Sequence, residues 1–177
     1  RPAPVHLILV GTERTIGRLW RDAVARGRPG PAYLVQHQDH WHEVTWPEAA
    51  ERVENIANGL LARRVGKGDA FATFARTTLE WVLFDFALAQ IGAVGAPVYA
   101  NSSPKDAAYV LDHSESVGVL CEDAELASRV ESERASLPRL RHLLTYDDLP
   151  GLEAEGAVFK SEHPTALDDA MATVGED

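Results

Sequence analysis

From Thr45 to Thr145 the hydrophobic period alternates between helical spacing and short, wholly apolar runs, and this alternation restricts the fold more than any other feature. Thr45-Trp46-Pro47-Glu48 has capping-box spacing, in which the threonine hydroxyl accepts a backbone N–H and the glutamate reaches back. Trp46, Ala49, Val53, Ile56, Ala57 and Leu60 then share one helical face. Arg63 and Arg64 suit the negative end of that helix, and Gly66 is its expected stop. Gly68-Asp69 turns the chain into a buried strand over residues 70–74. Thr77-Thr78-Leu79-Glu80 opens a second capped helix. From Trp81 to Ile91 it is apolar almost all round, so it is expected to be central and covered, with Gly92 at its end. Residues 93–99 read as a strand, and Ser103-Pro104-Lys105-Asp106 caps the next helix with proline at its first position. Residues 117–121 form a further strand, Asp123 caps a helix to about Ser136, and residues 140–145 form the last strand.

Strands alternating with crossover helices give a parallel sheet with right-handed connections. Strands apolar throughout are strands covered on both faces. The predicted fold is therefore α/β, a mostly parallel, doubly wound sheet with flanking helices. Ahead of it, Thr15 caps a helix whose apolar positions are Ile16, Leu19, Trp20, Ala23 and Val24, closed by Gly27. Residues 28–31 are turn chemistry, and residues 32–36 and 42–45 pair as an N-terminal β-hairpin. Residues 1–145 thus read as one α/β subdomain, with the hairpin over 32–45 and the alternation over 46–145. Beyond Tyr146 the chain carries Asp147, Asp148, Glu153, Glu155, Asp168, Asp169, Glu176 and Asp177 on a weak pattern. Residues 146–177 are expected to be an acidic surface connection.

The net charge of −10 excludes the basic stripe that nucleic-acid binding needs and disfavours bulk attraction to anionic lipid. The apolar run over residues 5–10 is too short to span a bilayer and lacks the layout of a signal peptide. A single cysteine, Cys121, forbids an internal disulfide and fits a reducing, cytoplasmic setting. Arg1 is the first residue and Met171 the only methionine, so the chain is expected to be a piece of a longer protein.

Several residue groups invite chemistry. His40 and His42 alternate onto one strand face beside His37 and Asp39, but no third or fourth ligand is evident, and a solvated hairpin tip is the favoured reading. Cys121 ends an apolar strand and reads as a buried, inert thiol. Phe74, Trp81, Phe84 and Phe86 read as core. A dinucleotide-binding turn is excluded because residues 75–78, after the first strand of the alternation, contain no glycine. Tyr99, Asn101, Ser102 and Ser103 follow the carboxyl end of a strand, where parallel sheets bind ligands, and are the candidate substrate-adjacent residues. Capping by Ser103 competes with that reading. No catalytic or metal-ligating residue is assigned.

Several blocks occur in the order found in adenylate-forming enzymes. They are Val44-Thr45-Trp46 through Gly66-Lys67-Gly68-Asp69, then Arg76-Thr77-Thr78-Leu79-Glu80-Trp81, then Gly92-Ala93-Val94-Gly95-Ala96-Pro97-Val98-Tyr99. Asn101-Ser102-Ser103-Pro104 with Tyr109-Val110-Leu111-Asp112-His113-Ser114 completes the set. The chain resembles the front of that superfamily, and Val119-Leu120-Cys121-Glu122-Asp123 leans toward its long-chain fatty acyl-CoA synthetase branch. The resemblance implies a fragment of a larger adenylate-forming domain. Its parent would join a fatty acid to coenzyme A through an acyl-adenylate, using ATP and Mg2+. That family's phosphate loop is rich in Ser, Thr and Gly, and nothing here matches it. Gly66-Lys67-Gly68-Asp69 is the nearest glycine pair and reads as a helix stop feeding a strand. The fragment is therefore expected to be inactive and to bind no cofactor by itself. Its expected partner is the remainder of its own chain, with a homodimer through exposed surface as a further option. The parent is expected in the cytoplasm, with peripheral membrane contact left open. The competing expectation is a non-catalytic α/β binding or scaffold module from the same family.

Overall fold

Polar caps set where the helices begin. In the computed structural model, which describes residues 14–175, Thr15 accepts the backbone N–H of Arg18, Thr45 that of Glu48, Thr78 that of Trp81, Ser103 that of Asp106 and Asp123 that of Leu126. The corresponding helices are α1 (Ile16–Ala25), α2 (Trp46–Ala62), α3 (Leu79–Ile91), α4 (Pro104–His113) and α5 (Ala124–Ser132). Four of these caps sit where the sequence placed them, whereas the Thr77–Glu80 spacing marks Thr77 and the structure uses Thr78. The apolar run over residues 5–10 lies outside the described residues.

The strands are β1 (Tyr33–His37), β2 (His40–Val44), β3 (Ala70–Phe74), β4 (Val94–Val98), β5 (Gly118–Cys121) and β6 (His142–Thr145). β1 and β2 form the expected hairpin around Gln38-Asp39, with Gln38 at φ 53°. The other four make a wholly parallel sheet in the order β4-β3-β5-β6. Alternate side chains feed two cores. Phe71 and Leu120 point to one side with Ile56, Leu83, Phe84 and Leu88. Phe74, Val119 and Cys121 point to the other with Val98, Leu111 and Val130. No described residue of α3 is fully exposed, as the all-round apolarity of its sequence requires. Gly92 closes that helix in the left-handed conformation, φ 71°, which glycine enters without the Cβ clash.

Four further expectations fail, the first that every strand is covered on both faces: Val94, Gly95 and Pro97 of β4 are exposed. Gly66 does not stop α2. The left-handed residue is Arg64 at φ 59°, and Val65 N–H reaches back to the Leu60 carbonyl at 3.0 Å. Val65 is buried, so the apolar contact that accompanies this kind of helix end outweighs the cost of a non-glycine residue there. The helix after Asp123 ends at Ser132, and a short 3₁₀ turn over Arg134–Ser136 takes its last residues.

The acidic segment is not a weakly patterned connection. It holds α6 (Leu149–Glu162) and α7 (Ala166–Ala172), and Leu149, Leu152, Leu167 and Met171 enter the first core. α6 lies against α2 at unusually short range. A Cβ on Gly156 would stand 1.8 Å from the Asn55 carbonyl oxygen, and one on Gly59 would stand 2.4 Å from that of Leu152. Two of its three acids are paired: Glu153 with Arg52 at 3.1 Å and Glu155 with Arg63 at 2.7 Å. Lys160 of the same helix reaches Glu54 at 2.9 Å.

Candidate functional site

The strand order locates the crevice of this sheet. β3 is followed by β4 on one side, and the chain then crosses to β5 on the other side of β3. Outside the carboxyl ends of β3 and β5 the winding reverses, and open α/β sheets bind ligands at such a point. Residues 75–78 leave β3 there, and Glu122 and Asp123 leave β5.

One ion pair spans the crevice. The Arg76 backbone N–H donates to Glu122 Oε2 at 2.8 Å, and Arg76 Nε donates to Oε1 at 2.8 Å. A terminal guanidinium nitrogen also meets Oε1. The guanidinium is largely in solvent, whereas the Glu122 side chain is only 12% exposed. Hydrogen bonds from Arg76 hold the Glu122 carboxyl below the usual glutamate range. Tyr146, at the end of β6, closes the far side. Its hydroxyl accepts from Thr78 Oγ1 at 3.1 Å and donates to the Arg76 carbonyl at 3.4 Å. Burial pushes the Tyr146 phenol up to about 12, so it stays protonated and acts as a donor. The loop over 75–78 is thereby clamped by residues that follow β5 and β6. Beside it runs a groove of about 480 Å³ between β1 and the start of α3, lined by Tyr33, Leu34, Val35, Leu79 and Val82 with Glu80 at its rim.

The sequence-predicted residues lie one strand away, past the edge strand β4. Tyr99 is 84% exposed. Ser102 N–H closes a turn onto the Tyr99 carbonyl at 2.9 Å, and the Ser102 carbonyl accepts from Arg129 at 3.1 Å. Ser103 Oγ accepts from the Asp106 amide at 3.2 Å and donates to the Asp106 carboxylate at 2.6 Å, so the cap uses it fully. Asn101 is exposed on the same loop. The sequence reasoning missed Arg76, Glu122 and Tyr146 as a group. The Arg76 block was visible, but its opposition to Glu122 depends on strand order.

The remaining candidates resolve simply. His40 and His42 are exposed on β2, and no three His, Cys, Asp or Glu side chains converge on a metal position among the described residues. Cys121 is buried, and burial pushes its thiol up to about 12, so no thiolate forms near neutrality. The Gly66-Lys67-Gly68-Asp69 turn is closed by its own groups. Asp69 accepts the Gly66 amide at 3.0 Å, and Lys67 Nζ is held by the Thr173 carbonyl at 2.5 Å. A turn whose amide and lysine are already engaged does not fit a nucleotide phosphate, and the described residues offer no other glycine-rich cradle.

The profile of the AMP-binding enzyme family matches residues 21–174. The long-chain-fatty-acid–CoA ligase FadD15 of Mycobacterium tuberculosis is 35% identical over 120 residues, covering 66% of this chain and 20% of its own length. The chain thus spans about a fifth of the curated ligases it matches. The uncharacterized protein Rv1549 of Mycobacterium tuberculosis is 27% identical over 129 residues, which cover 73% of this chain and 66% of that shorter protein. Among solved structures, the N-terminal domain of FACL13 from Mycobacterium tuberculosis superposes with a TM-score of 0.72 at 21% identity, over 80% of this chain and 36% of that one. That likeness supports the α/β architecture. With the ordered sequence blocks, the parallel sheet and a profile match over most of its length, the chain belongs to the AMP-binding enzyme family.

Proposed function

We propose that this chain is the N-terminal part of an ATP-dependent long-chain fatty acid–CoA ligase and is inactive by itself. The observation that carries the reading is the 35% identity with a long-chain ligase over 120 residues, in a sequence with no match to a phosphate loop. In the whole protein, a fatty acid carboxylate would attack the α-phosphate of ATP and expel pyrophosphate to give the acyl-adenylate, with Mg2+ screening the charge, and the coenzyme A thiol would then displace AMP to give the thioester. The Gly66-Lys67-Gly68-Asp69 turn is already engaged and no three described His, Cys, Asp or Glu side chains converge, so no step of that reaction is assigned to the described residues. Their role is structural: they supply the sheet and the clamped loop at its carboxyl edge. No described helix is long and apolar enough to cross a membrane. The parent is read as a cytoplasmic enzyme, with peripheral membrane contact as an option for the whole protein.

The second reading is a stand-alone, non-catalytic module, and the similarity to the short protein Rv1549 favours it. The deciding experiment reads the coding sequence past Asp177 and assays ATP–pyrophosphate exchange with long-chain fatty acids. The ligase reading expects a Ser/Thr/Gly-rich loop close behind, exchange by the longer protein and none by the 177-residue chain. A stop codon at that point would sink it in favour of the module. Exchange by the 177-residue chain alone would refute its inactivity.

A further inference from the structure

A second surface, away from the crevice, lacks a counterpart. Among the described residues β4 is a terminal strand, paired only with β3. Val94 N–H donates to the Asp69 carbonyl, so Val94, Ala96 and Val98 direct their backbone groups toward β3. Gly95 and Pro97 direct theirs outward. Pro97 has no N–H, so this edge offers few donors and is unsuited to a full additional strand. The register puts Gly95 and Pro97 on the sheet face of Phe71 and Thr73, which is the face α3 covers. Both are nevertheless exposed. Cover over β4 is therefore incomplete along the flank of α3.

Asp85 stands at that flank. Its Oδ1 lies 3.0 Å from where a Cβ on Gly95 would sit. The carboxylate is half-buried and makes no hydrogen bond or ion pair with any described residue, and its burial raises its pKa. Half-buried Trp81 lies one turn earlier on the same helix. A carboxylate partly out of water without a counter-charge is unfavourable at neutral pH, and a cation that arrives with covering surface removes that cost. Gly95 and Pro97 keep the sheet face low, which lets backbone approach closely. The lone negative charge argues against an anionic lipid or nucleic acid as the occupant.

We propose that the margin formed by Trp81, Asp85, Gly95 and Pro97 receives a segment of the longer parent chain that brings a lysine or arginine side chain to Asp85. This rests on the reading of the chain as part of a longer ligase. The test compares thermal midpoints of the 177-residue chain and of the protein read through beyond Asp177, each with and without Asp85→Asn. Asparagine keeps the shape and removes the charge. In the 177-residue chain the midpoint rises by about 2–4 °C, and in the longer protein it falls by a similar amount. A fall in the 177-residue chain means that Asp85 already has a partner, and an equal rise in both proteins means that no cation comes to it. Either result overturns the proposal. A coding sequence that stops after Asp177 removes the ligase reading and the proposal together, whereas a longer protein with equal shifts removes the proposal alone.

Discussion

At the scale of single residues, the crevice is organised by one carboxylate. Glu122 accepts from both the backbone and the side chain of Arg76, and so joins the loop after β3 to the end of β5. The sign of its contribution follows from its depressed pKa. A glutamate held below its unfolded value stabilises the fold above about pH 4.3, and that stabilisation is lost as pH falls through the folded value. Glu122→Gln therefore lowers the thermal midpoint at pH 7 and flattens its decline between about pH 5 and pH 3. Melts of both proteins across that range check the prediction, and an unchanged acid limb refutes it. None of this was legible beforehand. Arg76 and Glu122 are 46 positions apart, and only the placement of β3 between β4 and β5 brings them together.

At the scale of elements, legibility tracked how each one signals itself. α2 to α5 announce themselves by caps at fixed spacing, and β3 and β5 by short apolar runs. α6 has neither signal. No side chain caps it, and its buried positions are Leu149, Leu152 and Gly156, a narrow stripe that includes a glycine. Its acids look like a solvated surface until Arg52 and Arg63 of α2 are seen opposite them. A helix that docks through glycine notches and ion pairs leaves little hydrophobic periodicity to read. The dependence on glycine is testable. The Cβ of Gly156→Ala would overlap the Asn55 carbonyl, so α6 must shift away from α2. The substitution is expected to cost about 3 kcal/mol in chemical denaturation, despite alanine's better helix propensity. Gly151→Ala, on the same helix with open space around it, is the control and leaves stability nearly unchanged.

At the scale of the whole molecule, the parallel sheet and the hairpin differ in how firmly each is held. β3 lies between two paired strands, and helices cover both of its faces. Among the described residues the hairpin has only its own two strands. Four of the five residues of β2 are exposed, and Leu34 and Trp41 present 56% and 62% of their surface to water. A two-stranded ribbon is marginal unless its face packs elsewhere, and here Tyr33, Val35 and Val44 provide the attachment to the first core. Local opening of the hairpin therefore costs less than opening of the sheet. Native-state hydrogen exchange at low denaturant measures the difference residue by residue. The amides of Ala72, Thr73 and Leu120 are expected to exchange only through global unfolding, with strong denaturant dependence. Those of Val35 and His42 are expected to exchange faster, with little denaturant dependence. Equal rates and equal slopes at the two places would mean that hairpin and sheet open as one unit, contrary to the weak attachment the structure describes.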